Sequence, residues 1–198
     1  MTVKLLDYIP LDILDHAVGK CWGTGCKNSV EERDKRLYRV VNKHKHGSIS
    51  EHVSYVFDID GISRACLQEL ARHRHQSLTV KSSRYTLKQL KDGDSSILNN
   101  LFVHTDEPMV DAFSFEAMRN LQKAIKAGIS NDIAKYCMPE SMKTSLISTF
   151  NMRSLQNFLA LRTSKTALLE IRDLANNMFD VLPEDHKFML IDSLDNTH

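Results

Sequence analysis

The pattern of hydrophobic and polar positions predicts mostly helices, with strands in a few short segments. From His52 to Asp60 apolar and polar residues alternate, which is typical of a strand with one face in water, and Gly61 is expected to end it. The segment from Thr144 to Asn151 is rich in Ser and Thr and is predicted as another strand. Residues Ser77 to Tyr85 favour an extended conformation over a helix. Because these strands do not alternate regularly with helices, a parallel α/β sheet is not indicated.

Helical spacing of apolar residues, together with start and stop signals, predicts the remaining elements. A helix follows Pro10 and extends to Gly19. The next begins at Ser29, with Glu32 three positions later as in a capping box, and is expected to stop at Gly47. The other predicted helices begin after Ser63, at Pro108 with an end at Gly128, after Ser130, and at residues 154 and 166, the last ending before Pro183.

The bulk composition fits one domain and limits the classes of function. A chain of 198 residues and 22.6 kDa is expected to form a single α+β domain over residues 1–198, mostly helical with a small antiparallel or mixed sheet. The net charge is +1, so binding of a polyanion would need local clustering of charge. The N-terminus lacks the apolar core of a signal peptide, and no stretch approaches the roughly 20 apolar residues of a membrane span. We therefore expect a cytoplasmic protein with no membrane partner.

The cysteines and histidines give no strong sign of a disulfide framework or a metal site. Four cysteines are too few and too scattered for a disulfide framework in a chain of this length. Cys21 and Cys26 could approach each other, whereas Cys66 and Cys137 are expected in the core. The nine histidines could suggest a metal-dependent hydrolase, but no His-Glu-x-x-His motif is present, so no metal is expected.

The strongest local charge feature is the segment from Arg72 to Lys91. Between Leu70 and Lys91 there are six Lys or Arg residues and no acidic residue. A charge run of this kind is most often a solvated face. Hydroxyl side chains interleaved with the charges, such as Ser82, favour a phosphate ligand instead. A nucleic-acid-binding module using residues 72–91 is the alternative function, although Tyr85 is the segment's single stacking group and the whole chain is nearly neutral.

The spacing within this segment carries a family resemblance. The motif Arg72-His-Arg-x-x-Ser-x-x-x-x-Ser-x-Arg84 resembles the signature of the flavin-dependent thymidylate synthases. Blocks in the same order as in that family are found elsewhere in the chain: His46 to His52, Glu69, Lys135-x-x-x-Pro139, and Asn151 to Arg162. The resemblance covers nearly the whole chain and implies conversion of dUMP to dTMP. The implied one-carbon donor is 5,10-methylenetetrahydrofolate, and FAD reduced by NADPH is the implied hydride source.

The resemblance also implies the site residues and the assembly. It implies a homotetramer with active sites at subunit interfaces, acting on dUMP and on no nucleic acid, without a cysteine nucleophile. Arg162 is the expected catalytic residue, which stabilises negative charge developing in the uracil ring. The residues expected to bind FAD are Ser48, Arg72, His73, Arg74, Val80, Asn151, Met152, Arg153 and Asn157. Those expected to bind dUMP are Glu69, Leu70, Ala71, Arg72, Val80, Lys81, Ser82, Ser83, Arg84, Lys135 and Arg162.

Several of these residues have simpler explanations, and two depart from the family pattern. Arg162 at a helix end could serve only the helix dipole, worth about 0.3–1 kcal/mol. Glu51 and His52, just before the predicted strand, could either orient the flavin loop or form a local cap. Val80 stands where many relatives carry a polar or acidic side chain, so a side-chain hydrogen bond is lost there. Lys135 replaces an arginine found in some relatives, which keeps the charge but not the bidentate geometry. No Gly-rich strand-to-helix turn is present, so a Rossmann dinucleotide site is not predicted.

Overall fold

A computed structural model describes residues 1–195 of the chain. Its strands are β1 (Thr2–Tyr8), β2 (Ser54–Ser63), β3 (Gln76–Val80) and β4 (Lys143–Asn151), and they form an antiparallel sheet in the order β1-β2-β4-β3. The helices are α1 (Asp12–Trp22), α2 (Val30–Leu37), α3 (Gly47–Ser50), α4 (Arg64–Ala71), α5 (Ser83–Asp92), α6 (Pro108–Lys126), α7 (Asn131–Ala134), α8 (Met152–Arg162), α9 (Leu169–Asp180) and α10 (Glu184–Lys187). The predicted α+β class, mostly helical with a small sheet, is confirmed.

The predicted strands are confirmed in position, with different ends. β2 covers most of the expected alternating segment but continues through Gly61 to Ser63. Gly61 adopts a φ of 77°, which glycine tolerates at no steric cost, so it bends the strand's backbone without ending the strand. β4 matches the expected Ser- and Thr-rich strand. β1 was not predicted, although its exposed and half-buried residues alternate at the period of a strand.

The expected extended segment Ser77 to Tyr85 is only partly extended. β3 ends at Val80, and α5 begins at Ser83, so the prediction is wrong for residues 83–85. Ser82 caps this helix, since its Oγ accepts a hydrogen bond from the backbone N–H of Arg84 at 3.4 Å. The buried residues of α5, Thr86, Leu87 and Leu90, recur at helical spacing, and this signal outweighs the β-favouring residues before it.

The predicted helix caps are largely confirmed. Ser29 Oγ accepts from the N–H of Glu32 at 3.3 Å, and Ser63 Oγ accepts from the N–H of Cys66 at 3.0 Å. α6 opens with Pro108 in its first turn, and Gly128 follows its end with a φ of 87°. The helix begun at Ser29 is shorter than expected: α2 ends at Leu37 and continues as a wider turn of helix over residues 38–43. α1 runs past the expected end at Gly19 as far as Trp22.

The chain comprises two compact units. The first unit contains Met1, Asp60–Ala71 and Thr79–Leu146. The second unit contains Thr2–Ile59, Arg72–Leu78 and the chain from Ile147 onwards. The chain passes from one unit to the other within β2, β3 and β4 and at the end of α4. That residues 1–198 act as one domain stays a prediction.

The first unit has a hydrophobic core centred on α5 and α6. Buried side chains of these helices pack with those of the 95–102 segment, and the main contributors are Leu87, Leu90, Leu98, Phe102, Met118, Leu121 and Ile125. Gln122 Nε2, buried on α6, donates to the backbone carbonyls of Leu90 at 3.0 Å and Gly93 at 3.1 Å. These bonds satisfy carbonyls at the end of α5 that have no partner within the helix, so they fix the two helices against each other.

In the second unit a buried ion pair joins α1 and α2. Both Arg36 and Asp15 are almost fully buried, and the guanidinium donates Nε to the Asp15 carboxylate at 2.7 Å and NH2 to the Asp15 carbonyl at 3.0 Å. NH1 also donates to the carbonyl of Gly25 at 3.0 Å, which holds the loop after α1. Removing one partner of such a pair costs about 3–5 kcal/mol because the other charge stays buried.

The cysteines lie partly where the sequence predicts them. Cys66 is buried, as expected. Cys137 is exposed, so its expected place in the core is wrong; it lies at the end of a tight turn that follows α7, where its side chain is not covered. Cys21 and Cys26 are exposed and unbridged, and Cys26 Sγ lies 3.2 Å from His16 Nδ1.

A buried histidine and tyrosine form a hydrogen bond in the second unit. His186 and Tyr55 are both fully buried, and the Tyr55 hydroxyl lies 2.9 Å from His186 Nδ1. The edge of the Tyr8 ring packs on His186, with ring centroids 5.2 Å apart. Burial lowers the pKa of His186 below its ordinary value of 6.5, an effect the Asp185 carboxylate partly opposes. Burial, with the nearby Asp185 charge, raises the pKa of Tyr55.

This pair predicts loss of stability in mild acid. Below the ordinary pKa of 6.5 the unfolded chain takes up a proton that the folded His186 resists, so the free energy of unfolding falls as the pH drops through that value. The slope from one such group is at most about 1.4 kcal/mol per pH unit. We expect a lower urea midpoint at about pH 5.5 than at about pH 7.5.

Two variants separate this group from the other histidines. His186→Gln should flatten the dependence, and the exposed His44→Gln should leave it unchanged. Equal slopes in the wild type and in His186→Gln would contradict the assignment.

Candidate functional site

The predicted site residues divide between the two units. The FAD residues belong to the second unit, with the exception of Val80. The dUMP residues belong to the first unit, with the exceptions of Arg72 and Arg162. The two sets of predicted ligand residues therefore belong largely to different units.

Arg162 and His73 are in direct contact in the second unit. Arg162 is the last residue of α8 and is half-buried. Its Nε donates a hydrogen bond to His73 Nε2 at 2.9 Å. Since the arginine Nε always carries its proton, His73 Nε2 is the acceptor of this bond. Phe158, one turn earlier on α8, packs edge-to-face on the His73 ring with centroids 5.0 Å apart. The expected catalytic residue thus contacts one of the expected FAD residues.

The loop that carries His73 is fixed by residues that the sequence did not indicate. Gln76, at the start of β3, donates Nε2 to the His73 carbonyl at 3.0 Å. Ser148 on β4 donates its hydroxyl to Gln76 Oε1 at 3.3 Å. A lone Gln and a Ser in a strand carry no motif, so only the folded chain shows that they position His73. Arg72 and Arg74, which flank His73 in this loop, are both exposed.

Arg153 brings the start of α8 next to the Gly47-Ser48 turn. Its NH1 donates to the Glu51 carboxylate at 2.9 Å, so Glu51 is an ion-pair partner of a site residue rather than merely a local cap. The guanidinium lies directly on the backbone of Gly47, where an added Cβ would come within 2.9 Å of Cζ. A side chain at position 47 would therefore displace the guanidinium, so Gly47 leaves room for this position of Arg153 next to the turn that carries the exposed Ser48.

The other predicted FAD residues on α8 have different exposures. Asn151 caps the helix, since its Oδ1 accepts from the N–H of Ser154 at 2.8 Å. Met152 is fully buried, and its N–H donates to the carbonyl of Val53 at 2.7 Å. A contact between Met152 and a ligand would therefore involve its backbone carbonyl, not its side chain. Asn157 is exposed and lies one turn after Arg153 on the same face of the helix.

In the first unit, the predicted dUMP residues gather at the beginning of α5. Ser82 is the N-cap, Ser83 and Arg84 are the first helical residues, and the first turn contains no acidic residue. Helix N-termini present unpaired N–H groups and a partial positive charge, which suit a phosphate. The backbone N–H of Lys81 donates to the Ser145 carbonyl at 2.8 Å, which fixes the approach to the helix, while its side chain is exposed. Val80 is 37% exposed and offers an apolar surface.

The remaining dUMP residues lie outside this helix start. Glu69, Leu70 and Ala71 form the last turn of α4, and the Leu70 side chain is fully buried, so only its backbone could reach a ligand. Lys135 is exposed on the turn after α7, with its Nζ 3.9 Å from the Asp132 carboxylate.

The donor sets fit two anionic ligands. The second unit offers arginine forks, hydroxyl and amide groups, together with the ring of His73, which suits a ligand with a pyrophosphate and a planar ring. The first unit offers a helix N-terminus with serines and arginine, which suits a monophosphate. Across residues 1–195, no group of three or more His, Cys, Asp or Glu side chains is placed to hold a metal ion.

Related proteins carry the same fold and the same sequence pattern. A family model described as thymidylate synthase complementing protein matches residues 4–186. The flavin-dependent thymidylate synthase of Campylobacter jejuni is 50% identical over 197 residues, which covers 96% of this chain and 95% of the relative. The flavin-dependent thymidylate synthase of Helicobacter pylori is 45% identical over 212 residues, which covers 98% of this chain and 99% of the relative.

A solved structure gives the same result in three dimensions. The crystal structure of thymidylate synthase X from Helicobacter pylori with FAD and dUMP superposes with a TM-score of 0.94 and 41% identity, covering 99% of this chain and 100% of the other. Motifs, fold and relatives agree along nearly the whole length, and the resemblance expected from the sequence is confirmed. The chain belongs to the family of flavin-dependent thymidylate synthases.

Proposed function

We propose that the chain converts dUMP to dTMP, with 5,10-methylenetetrahydrofolate as one-carbon donor and with FAD, reduced by NADPH, as hydride source. The observation that carries this proposal is the hydrogen bond between Arg162 and His73. This bond holds Arg162, which is assigned to the uracil ring, against His73, which is assigned to the flavin. The chain is also 50% identical to an enzyme named flavin-dependent thymidylate synthase. The comparisons support this function and give no support to the alternative of a nucleic-acid-binding module over residues 72–91.

In this proposal the second unit holds the flavin. Arg72, Arg74 and Arg153 supply forked donors for the pyrophosphate, and Ser48 adds a hydroxyl beside Arg153. His73, Asn151 and Asn157 supply further polar contacts, and Met152 contributes a backbone group because its side chain is buried. When bound, FAD supplies the hydride that completes the new methyl group.

Arg162 acts on the uracil ring. Carbon-5 of uracil is a weak nucleophile, and its methylation requires negative charge to develop within the ring. A fixed guanidinium beside that charge stabilises it without reorganisation during the reaction, an effect often worth several kcal/mol. His73 fixes the guanidinium through Nε, so the cation keeps one orientation. No thiol is assigned a role in this step.

The first unit holds the nucleotide. Ser82, Ser83 and Arg84 bind the 5′-phosphate at the start of α5, supported by Lys81. Glu69, Ala71 and the Leu70 backbone at the end of α4, together with Lys135 and Arg72, complete the dUMP residues. Val80 lines the ligands with apolar contact, because it is partly exposed and carries no polar group.

The assembly is a homotetramer with active sites at subunit interfaces. Large apolar side chains stand exposed on the first unit, among them Tyr136 at 85%, Tyr85 at 69% and Phe113 at 68%. Large apolar side chains with this much exposure suit a surface that other chains cover. The exposed, unbridged cysteines suit the reducing cytoplasm, which we propose as the location. No helix within residues 1–195 is long and apolar enough to cross a membrane.

The reaction itself tests the proposal, with Arg162 as the probe. We expect the purified protein to be yellow with FAD, to show a change in the flavin spectrum on addition of dUMP, and to form dTMP when both co-substrates are present. Arg162→Ala should lower kcat about 100- to 1,000-fold, as for loss of one preorganised donor, while the flavin spectrum is kept.

Arg162→Lys is the conservative control, since it keeps the charge and loses the fixed Nε donor. It should retain more activity than the alanine variant but less than the wild type. A colourless protein that forms no dTMP would overturn the function. Unfolding of Arg162→Ala would instead show a purely structural arginine.

The phosphate site predicts a ligand-specific effect of Arg84→Ala. Loss of a charge-assisted hydrogen bond should weaken dUMP binding about ten- to a hundredfold. Affinity for deoxyuridine, which lacks the phosphate, should stay the same, and calorimetry can compare the two ligands. Arg119→Ala, on the exposed face of α6, removes the same charge from the same unit and should leave both affinities unchanged. An equal loss for both ligands would place Arg84 at the base or sugar, not at the phosphate.

The shared-site assembly predicts complementation between inactive variants. Chains carrying Arg84→Ala and chains carrying Arg162→Ala are inactive or weak alone. Coexpressed with different tags and purified as mixed oligomers, they should recover part of the wild-type activity, because some sites then receive both intact residues. Mixed oligomers no more active than either parent would mean that one chain supplies both residues to a site. Sedimentation of the wild type should give four times the 22.6 kDa chain mass.

A further inference from the structure

Apart from Arg84, the residues of one cleft in the first unit have no role in the function proposed above. It has a volume of about 550 Å³ and lies between α5 on one side and the end of α6 with the following turn on the other. Its lining residues are Arg84, Leu87, Lys88, Lys91, Asp92, Ile125, Gly128, Ile129, Ser130 and Asn131. Arg84, the proposed phosphate residue, stands at one end of this lining.

The α5 wall of the cleft is basic. Arg84, Lys88 and Lys91 follow one another at spacings of four and three, so they share one face of the helix and are exposed. At 1.5 Å rise per residue, the charges are spread over about 10 Å. Asp92 is the one acidic residue of the lining, so the cleft has a net positive charge. This arrangement suits several negative groups spaced along an extended ligand.

The floor of the cleft is apolar, and the opposite wall combines Ile129 with the polar residues Ser130 and Asn131. Leu87 and Ile125 form the buried floor, and Ile129 is 45% exposed on the far wall. None of the lining residues is aromatic. A nucleotide base bound in such a cleft would have no ring to stack on, whereas a chain of methylene groups and carboxylates finds both apolar contact and lysines.

We infer that this cleft binds the oligo-γ-glutamyl tail of the folate co-substrate, with Lys88 and Lys91 as the carboxylate partners. The inference rests on the proposed function, which supplies the folate. Successive glutamyl residues place one carboxylate each along an extended chain, which matches the row of charges on α5. Lysine suits this role because it is a flexible point charge that adapts to carboxylates of varying position.

Direct binding tests the inference without turnover. Calorimetry with the full chain, FAD and dUMP compares monoglutamyl and pentaglutamyl tetrahydrofolate. The wild type should bind the pentaglutamyl form about fivefold more tightly, a gain expected from a few exposed ion pairs. The double variant Lys88→Ala/Lys91→Ala should lose this gain while its affinity for the monoglutamyl form is kept. Added salt should reduce the gain in the wild type, because these charges are exposed.

The matched control is Lys123→Ala, which removes a charge from the exposed face of α6 outside the cleft. This variant should still bind the pentaglutamyl form more tightly than the monoglutamyl form, as the wild type does. If it loses this preference as fully as the double variant, the preference depends only on the overall charge, and the inference is overturned. The inference is also wrong if the double variant keeps the gain, or if it weakens NADPH binding instead. Turnover is a separate readout: a wild type that binds the tail but forms no dTMP refutes the proposed function and not the cleft assignment.

Discussion

The hydrogen bond from Arg162 Nε to His73 Nε2 is the contact on which the chemistry proposed for the second unit depends. A half-buried guanidinium needs hydrogen-bond acceptors, and the His73 ring supplies one of them. Because this bond ties the guanidinium to the His73 ring, the ring itself must be held in position. Packing on Phe158 and the link from Gln76 to Ser148 meet that need.

The helix α8 carries several residues of the candidate flavin site because its buried residues pack in the core while others are exposed. Met152, Leu155, Phe158 and Leu159 are buried and fix the helix, while Arg153 and Asn157 lie on the outer face. Asn151 caps its first turn, and Arg162 occupies its last turn, where the helix dipole favours a cation. The two explanations of Arg162, helix-end cation and catalytic residue, are thus compatible, since the dipole helps to hold the charge in place.

In the first unit, a helix N-terminus is the main feature of the candidate site. In the proposed function, an anion binds at the start of α5, which carries two serines and an arginine and is supported by a hydrophobic core between α5 and α6. Further along the same helix, Lys88 and Lys91 line the cleft. The helix α5 therefore presents positive charge both to the proposed phosphate site and to the cleft. The buried face of α5 packs on α6, and hydrogen bonds from Gln122 hold the end of α5. This packing keeps the helix in place although its exposed face carries several positive charges.

The sequence by itself determined the fold class, the caps at Ser29 and Ser63, strands β2 and β4, and the family. These features depend on residues near one another in the chain or on a motif with fixed spacing. It did not determine β1, the start of α5, or the exposure of Cys137, because these depend on what packs against each segment. It also could not show that Met152 and Leu70 are buried, or that Glu51 pairs with Arg153. Arg162 and His73 lie 89 positions apart, and only the folded chain decides that they meet. Such contacts result from packing between distant segments, to which local pattern contributes no signal.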